Sequence, residues 1–349
     1  MNDIRRTILW VIFGFSMVLL WDKWQLHNGN KATFFPSPAA VGAAAPAAGA
    51  SAPLAGAASV PASTAPAVAS IGASAVPGTP APAAPAAREK IEVTTDVYRL
   101  TFDGEGGSLT HAELLKHADM TDKAKNFVLF DESTQRVYVA QTGLIGGSFP
   151  THKTVMTAVP GPRALKDGEN ELTIRFESPE QGGVKLVKTW TLKRGAYDIA
   201  VKHEVVNVGS TAVSPQLYLQ LVRDGNKPPG ESSFYSTFTG PAVYTDAKKY
   251  QKIEFKDIEN GKVDIPKESP NGYVAMVQHY FASAWLLADG VQRELFTRKV
   301  SDNLYSVGMI TPLGNIDPGT TKAVDARLFA GPQIETMMEK LYPGLELVK

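Results

Sequence analysis

After about Arg88 the chain is dominated by short runs in which apolar and polar residues alternate, separated by turn residues. In LTIRF, Leu172 to Phe176, the residues Leu172, Ile174 and Phe176 share one face while Thr173 and Arg175 share the other. That period of two is the mark of a half-buried strand. VKLVKTWTL, Val184 to Leu192, puts Val184, Leu186, Trp190 and Leu192 on one side, with Lys188 as the exception. YDIAVKHEVVNVG, Tyr197 to Gly209, starts with Tyr197, Ile199 and Val201 inward; the break of rhythm at Val205 and Val206 predicts a bulge or a strand buried on both faces. DGEGGS (103–108), KDGEN (166–170) and KRGAY (193–197) read as hairpin loops. The pattern predicts a mainly β domain over 89–349.

The period changes at the end of the chain. In GPQIETMMEKLYPG, Gly331 to Gly344, the residues Ile334, Met337, Met338 and Leu341 recur at i, i+3, i+4 and i+7, which predicts an amphipathic helix over 332–342. Pro332 suits its first turn and Pro343-Gly344 its end. One apolar stripe requires a partner, so this helix packs on the β domain or lies on a membrane.

The N-terminus has a third texture. From Thr7 to Trp21 no side chain is charged; Arg5 and Arg6 precede the run and Asp22 and Lys23 follow it. The uncharged run alone spans about 22 Å as a helix, less than a hydrocarbon core of roughly 30 Å. A cleaved signal needs small residues after the apolar run, but Trp21, Asp22, Lys23 and Trp24 stand there. Tryptophans suit a membrane interface, as does Trp10 within the run. With Arg5 and Arg6 snorkelling at one end and Trp24 anchoring the other, the helix reaches about 31 Å. The expectation is an uncleaved transmembrane anchor over residues 1–27, N-terminus cytoplasmic and the remainder exported. Residues 28–88 follow as a linker: between Lys31 and Arg88 there is no charge, only alanine, proline, glycine and serine in the main. Such a segment buries too little surface to offset its ordering entropy and is expected to be disordered, and its recurrent prolines argue against a helix.

Composition narrows the function. The 35 basic and 35 acidic residues cancel, which excludes the basic field of a nucleic-acid binder. The absence of cysteine removes thiol catalysis, disulfides and iron–sulfur clusters. His203 and Glu204 are neighbours on a strand and point to opposite faces, so His203, in phase with Ile199 and Val201, belongs to the core side. GEGG at 104–107 lacks the lysine and helix of a phosphate loop, and DGENE at 167–171 lacks calcium-loop spacing. TDAKKYQK, Thr245 to Lys252, reads as a solvated loop whose edge could receive a protein partner. His279, Tyr280 and Trp285 lie among aromatics that either pack or line a sugar-binding cleft. There is no serine elbow, no HExxH and no histidine pair at ligand spacing, so no catalytic residue, cofactor or metal site is expected.

Several segments resemble the N-terminal part of the YidC-type membrane protein insertases of Gram-negative bacteria. They are RRTILWVIFGFSMVLLWDKWQ, VTTDVYRLTFDGEGGSL (93–109), VYVAQTGLIG (137–146), LKRGAYDIAVKHEVVNVG (192–209), FTGPAVYTDAKKYQKIEF (238–255), NGYVAMVQHYFASAW (271–285) and LFAGPQIETMMEKLYPGLELV (328–348). They fall in the family's order, and the long linker and RRTILW start resemble its betaproteobacterial branch. The resemblance implies a periplasmic β-supersandwich similar to galactose mutarotases. It also implies a role in inserting and folding proteins of the bacterial inner membrane, alone or with the Sec translocon (SecYEG with SecD and SecF). The lipid bilayer and nascent inner-membrane proteins would be its other contacts. The family's insertase core, a later helical bundle with a polar groove, has no matching positions here, so no groove residue is carried over. A periplasmic sugar-binding or mutarotase-like module is the alternative.

Overall fold

A computed structural model describes residues 88–231 and 237–349. The expected anchor residues Arg5, Arg6, Trp10, Trp21 and Trp24, and the linker as far as residue 87, lie outside the described residues. Among the described residues no helix is long and apolar enough to cross a membrane.

Two nine-stranded sheets form the domain. The first runs, in spatial order, β1 (Lys90–Thr94), β2 (Tyr98–Asp103), β3 (Ser108–Ala118), β4 (Asn126–Glu132), β5 (Val137–Ile145), β10 (Gln216–Asp224), β17 (Leu304–Pro312), β16 (Arg293–Ser301) and β13 (Glu268–Ser269). The second runs β12 (Lys249–Lys252), β11 (Gly240–Thr245), β14 (Tyr273–Gln278), β15 (Phe281–Leu287), β18 (Thr321–Pro332), β9 (Asp198–Asn207), β8 (Val184–Lys193), β7 (Glu171–Glu177) and β6 (Thr157–Ala158). The central pairings are antiparallel.

Alternation explains the packing. Along β7 the residues Leu172, Ile174 and Phe176 are buried and the residues between them exposed. Each sheet thus has an apolar face, and the two faces close on one another around Trp190 and Trp285, whose rings lie 6.2 Å apart. Both indoles donate across the core to the first sheet's chain: Trp190 Nε1 to Gly107 O at 3.2 Å and Trp285 Nε1 to Gln220 O at 3.0 Å. Tyr138 in β5 reaches the other sheet at Ser283 Oγ (2.5 Å) and Met276 O (3.2 Å). These polar tips are satisfied where they are buried, so the large rings fix how the sheets align.

Three expectations change in detail. Strand β9 keeps a continuous register with β8, Leu186 opposite Val205 and Lys185 opposite Val206, so there is no bulge at the valine pair. Val205 points into the core and Val206 is half-buried on the other face. KDGEN is a turn inside the longer connection between β6 and β7, whereas DGEGGS and KRGAY do join consecutive strands. The C-terminal helix spans Glu335–Leu341, shorter than 332–342, because Pro332 is the last residue of β18 and Ile334 is the N-cap. TDAKKYQK is a hairpin whose second arm, β12, is the edge of the second sheet.

The end of the chain is tied down by polar contacts. Gly272 N donates to Tyr342 Oη at 2.8 Å, Tyr342 Oη donates to Asp289 Oδ1 at 2.5 Å, and Tyr273 Oη donates to Gly344 O at 2.8 Å. Arg293, fully buried, donates to the carbonyls of Gly272, Leu287, Pro270, Ala288 and Val291. Gly272 itself has φ +101, and a Cβ there would run into the carbonyl oxygen of Tyr244. Gly272→Ala therefore should cost more than about 2 kcal/mol through strain and loss of this junction. Chemical denaturation checks it; an unchanged midpoint would mean that the junction relaxes freely.

Candidate functional site

A hollow lies on the outer face of the first sheet, across β5, β10, β17 and β16. It has a volume of about 480 Å³ and is lined by Ile145, His152, Lys153, Tyr218, Gln220, Phe296, Arg298 and Ile310, among others. Register brings these residues together: Tyr218 stands opposite Gly143 on one side and Ile310 on the other, and Gln220 opposite Gln141 and Gly308. The two glycines give the rings room. A Cβ on Gly143 would strike the Tyr218 hydroxyl and one on Gly308 would strike the Phe296 ring, so bare backbone here lets both rings lie against the strands.

The connection after β5 folds back over this face, with Leu144 N donating to Pro150 O at 3.0 Å. It delivers His152, whose backbone N–H donates to Tyr218 Oη at 2.9 Å and whose Nδ1 lies 2.6 Å from the same oxygen. The hydroxyl accepts from the backbone N–H and shares a second hydrogen bond with Nδ1. Burial, aided by Lys188, Lys153 and Arg298, pulls the His152 pKa down to about 4, and burial pushes Tyr218 up to about 12. Both groups are neutral at pH 7. Apolar walls with Lys153 and Arg298 among them suit an extended apolar segment bearing a polar or acidic group. The lining includes no carboxylate that could pair with His152 as an acid or base.

Behind the sheet sits a buried polar cluster. Lys188 does not escape from the core side of β8: it is fully buried, and Nζ donates to Gly106 O and Thr142 O, both at 2.6 Å. The Thr142 hydroxyl lies 2.9 Å from His203 Nε2, and His203 is fully buried as its phase predicts. Burial lowers Lys188 to about 7 and, with Lys188 beside it, lowers His203 to about 3. The carbonyls hold an amine that has been stripped of water, which ties the β2–β3 turn to β5 and β8.

Of the three residues singled out for a cleft, His279 and Tyr280 reach the surface and Trp285 does not. His279 and Tyr280 make the turn between β14 and β15, where Tyr280 has φ +65 and is 61% exposed. They border a separate hollow of about 290 Å³ with Phe238, Lys252, Gln333 and Val348. Trp285 is inside the core beside Trp190 and contributes nothing to that hollow. Of the C-terminal stripe, Met338 is fully buried, Met337 and Leu341 are half-buried against the core, and Ile334 is 46% exposed because it caps the helix rather than lying on its packed face. Sequence reasoning missed the cleft at His152 and Tyr218. Its only local signals were glycines inside strand-like runs, at Gly143 and Gly308.

Two antiparallel sheets packed face to face, with a cleft on one outer face, define a β-supersandwich domain. Such a domain is similar in fold to a galactose mutarotase related enzyme from Lactobacillus acidophilus (TM-score 0.45, 9% identity, 69% of this chain and 97% of that one). A galactose mutarotase-like protein from Lactobacillus casei gives a TM-score of 0.41 at 11% identity, covering 69% of this chain and 100% of that one. Residues 90–349 match the YidC periplasmic domain, and the chain belongs to that family. It is 47% identical over 349 residues to the membrane protein insertase YidC of Janthinobacterium sp. (strain Marseille), covering 99% of this chain and 60% of that protein. Against the membrane protein insertase YidC of Cupriavidus necator the identity is 50% over 347 residues, with coverage of 99% and 61%. The chain spans about 60% of the length of these curated relatives.

Proposed function

We propose that this chain is the anchor and periplasmic part of an inner-membrane protein insertase, and that its β domain docks and positions client segments without performing covalent chemistry. The observation that carries this reading is identity near 50% maintained over 99% of the chain with proteins named as insertases. In this reading residues 1–27 are the anchor with the N-terminus in the cytoplasm, 28–88 the linker, and 89–349 the domain exported to the periplasmic side, which the charge-free run with its arginine and tryptophan flanks supports. Nascent inner-membrane proteins are its clients, and the Sec translocon with SecD and SecF its partner. The cleft at Tyr218 and Phe296 supports a docking role: it is apolar, open and free of the carboxylate that sugar epimerisation by His152 would call on.

Depleting the protein from its host should impair insertion of inner-membrane test proteins, scored by protease protection. Normal insertion in depleted cells would remove the proposal. Titration with a panel of hexoses tests the sugar-binding alternative, for which saturable binding at the cleft is the expected sign.

A further inference from the structure

Buried cations in this domain are normally caged. Arg293 directs its guanidinium onto five carbonyls and Lys188 its amine onto two. Arg223, at the end of β10, breaks that pattern. It is 2% exposed, its guanidinium carbon lies 4.9 Å from the centre of the Tyr138 ring, and its Nη1 is buried with no hydrogen-bond partner. No ion pair among the described residues includes it, and Asp224 and Glu231 act on it only at longer range. An arginine held this way is costly unless something completes its donor fork.

The side chain borders a cavity of about 340 Å³, which is also lined by Asp131, Arg136, Asp224, Lys227 and Pro228. A second guanidinium faces the same space: Arg136 spends Nη1 on Val128 O (3.0 Å) and Nη2 on Leu129 O (2.6 Å) and has no ion pair among the described residues. Lys227 is exposed at the rim. The two carboxylates do not answer these three cations. Asp224 already accepts from Val137 N at 2.7 Å and Asn226 N at 2.9 Å, and Asp131 lies 3.2 Å from His111 Nδ1. Three cations and two carboxylates line the cavity, with Glu231 and Asp119 acting on the guanidiniums from further off, and its deepest donor is unused.

We propose that this cavity, between the end of β10 and the β4–β5 turn, is an oxyanion site of the phosphate class, with Arg223 as the buried donor and Arg136 and Lys227 as flanking cations. A tetrahedral oxyanion suits it because its several acceptor oxygens can meet two guanidinium groups and an ammonium at once, where a single carboxylate offers only two. The phosphate of a lipid headgroup and free phosphate share this chemistry.

Isothermal titration of the full 349-residue chain at constant ionic strength tests the assignment, with inorganic phosphate in one arm and soluble dihexanoyl phosphatidylglycerol, below its micelle concentration, in the other. Saturable binding with a Kd on the order of 1 mM or tighter is expected, weakened at least about tenfold by Arg223→Gln. The tighter of the two ligands identifies the source. If Arg223→Gln fails to fold, the exposed rim provides the second test: Lys227→Glu should weaken binding about fivefold without changing the melting temperature of the free protein. Absence of saturable binding by the unaltered chain in both arms, or equal binding by the folded variants, would overturn the site.

Discussion

Lowering the pH from 7 to about 5 should strip several kcal/mol of stability from the β domain before ordinary carboxylates protonate. The cause is the pair of buried histidines. His203 and His152 bind protons in the folded domain only near 3 and 4, while in the unfolded chain they do so near the usual 6.5. Between those limits the unfolded state holds more protons, so each step down in pH favours it. The contribution is fully present above about 6.5 and is lost as pH falls toward each folded value. Each histidine amounts to on the order of 3 to 5 kcal/mol over its full window. Lys188 has the same sign in a different range: folded near 7 against the usual 10.5, it makes stability rise as pH climbs between those values. Urea midpoints measured at pH 7.5, 6, 5 and 4 should therefore decline steadily. His203→Gln should flatten the acid limb by roughly half, since one of two histidines is removed. A midpoint constant from pH 7 to 4 would show that these rings are solvated and protonate freely.

This prediction also marks where sequence reasoning reached its limit. The inward phase of His203 was legible from Ile199 and Val201, because a period of two needs only local neighbours. Its partner was not. Thr142 lies 61 residues away in chain order and belongs to the opposite sheet, so only the packing of the two sheets brings them together. The same holds for the cleft. Tyr218 sits in QLYLQLV, which reads as a featureless apolar run, and what distinguishes it is the strand order β5, β10, β17, β16. That order is non-consecutive, and no local pattern encodes it. For Trp285 local aromatic density leaves packing and a cleft both open; the fold decides for packing, because the residue faces inward from β15 and its indole donates to Gln220 O.

Met338→Asp should be the most damaging single change in the C-terminal helix, costing more than about 4 kcal/mol. Periodicity marks Ile334, Met337, Met338 and Leu341 as one stripe, but a stripe on a helix of only 7 residues does not bury evenly. Met338 is completely enclosed, whereas Met337 and Leu341 are half-buried and Ile334 is 46% exposed. Removing the Met338 side chain forfeits about 2 to 5 kcal/mol of packing, and a carboxylate in its place must also be desolvated or neutralised. Met337→Asp and Leu341→Asp should fall between, near 1 to 3 kcal/mol, and Ile334→Asp should stay within about 0.5 kcal/mol. Loss at Met338 would spread through Tyr342, which follows the helix and links Gly272 to Asp289, so the variant should also loosen the Arg293 junction. Denaturation midpoints of the four variants test the gradient, and hydrogen exchange at the Gly272 amide tests its spread. Were Met338→Asp as mild as Ile334→Asp, the stripe would not be packed on the β domain, and the helix would be free to lie on lipid or on a protein partner.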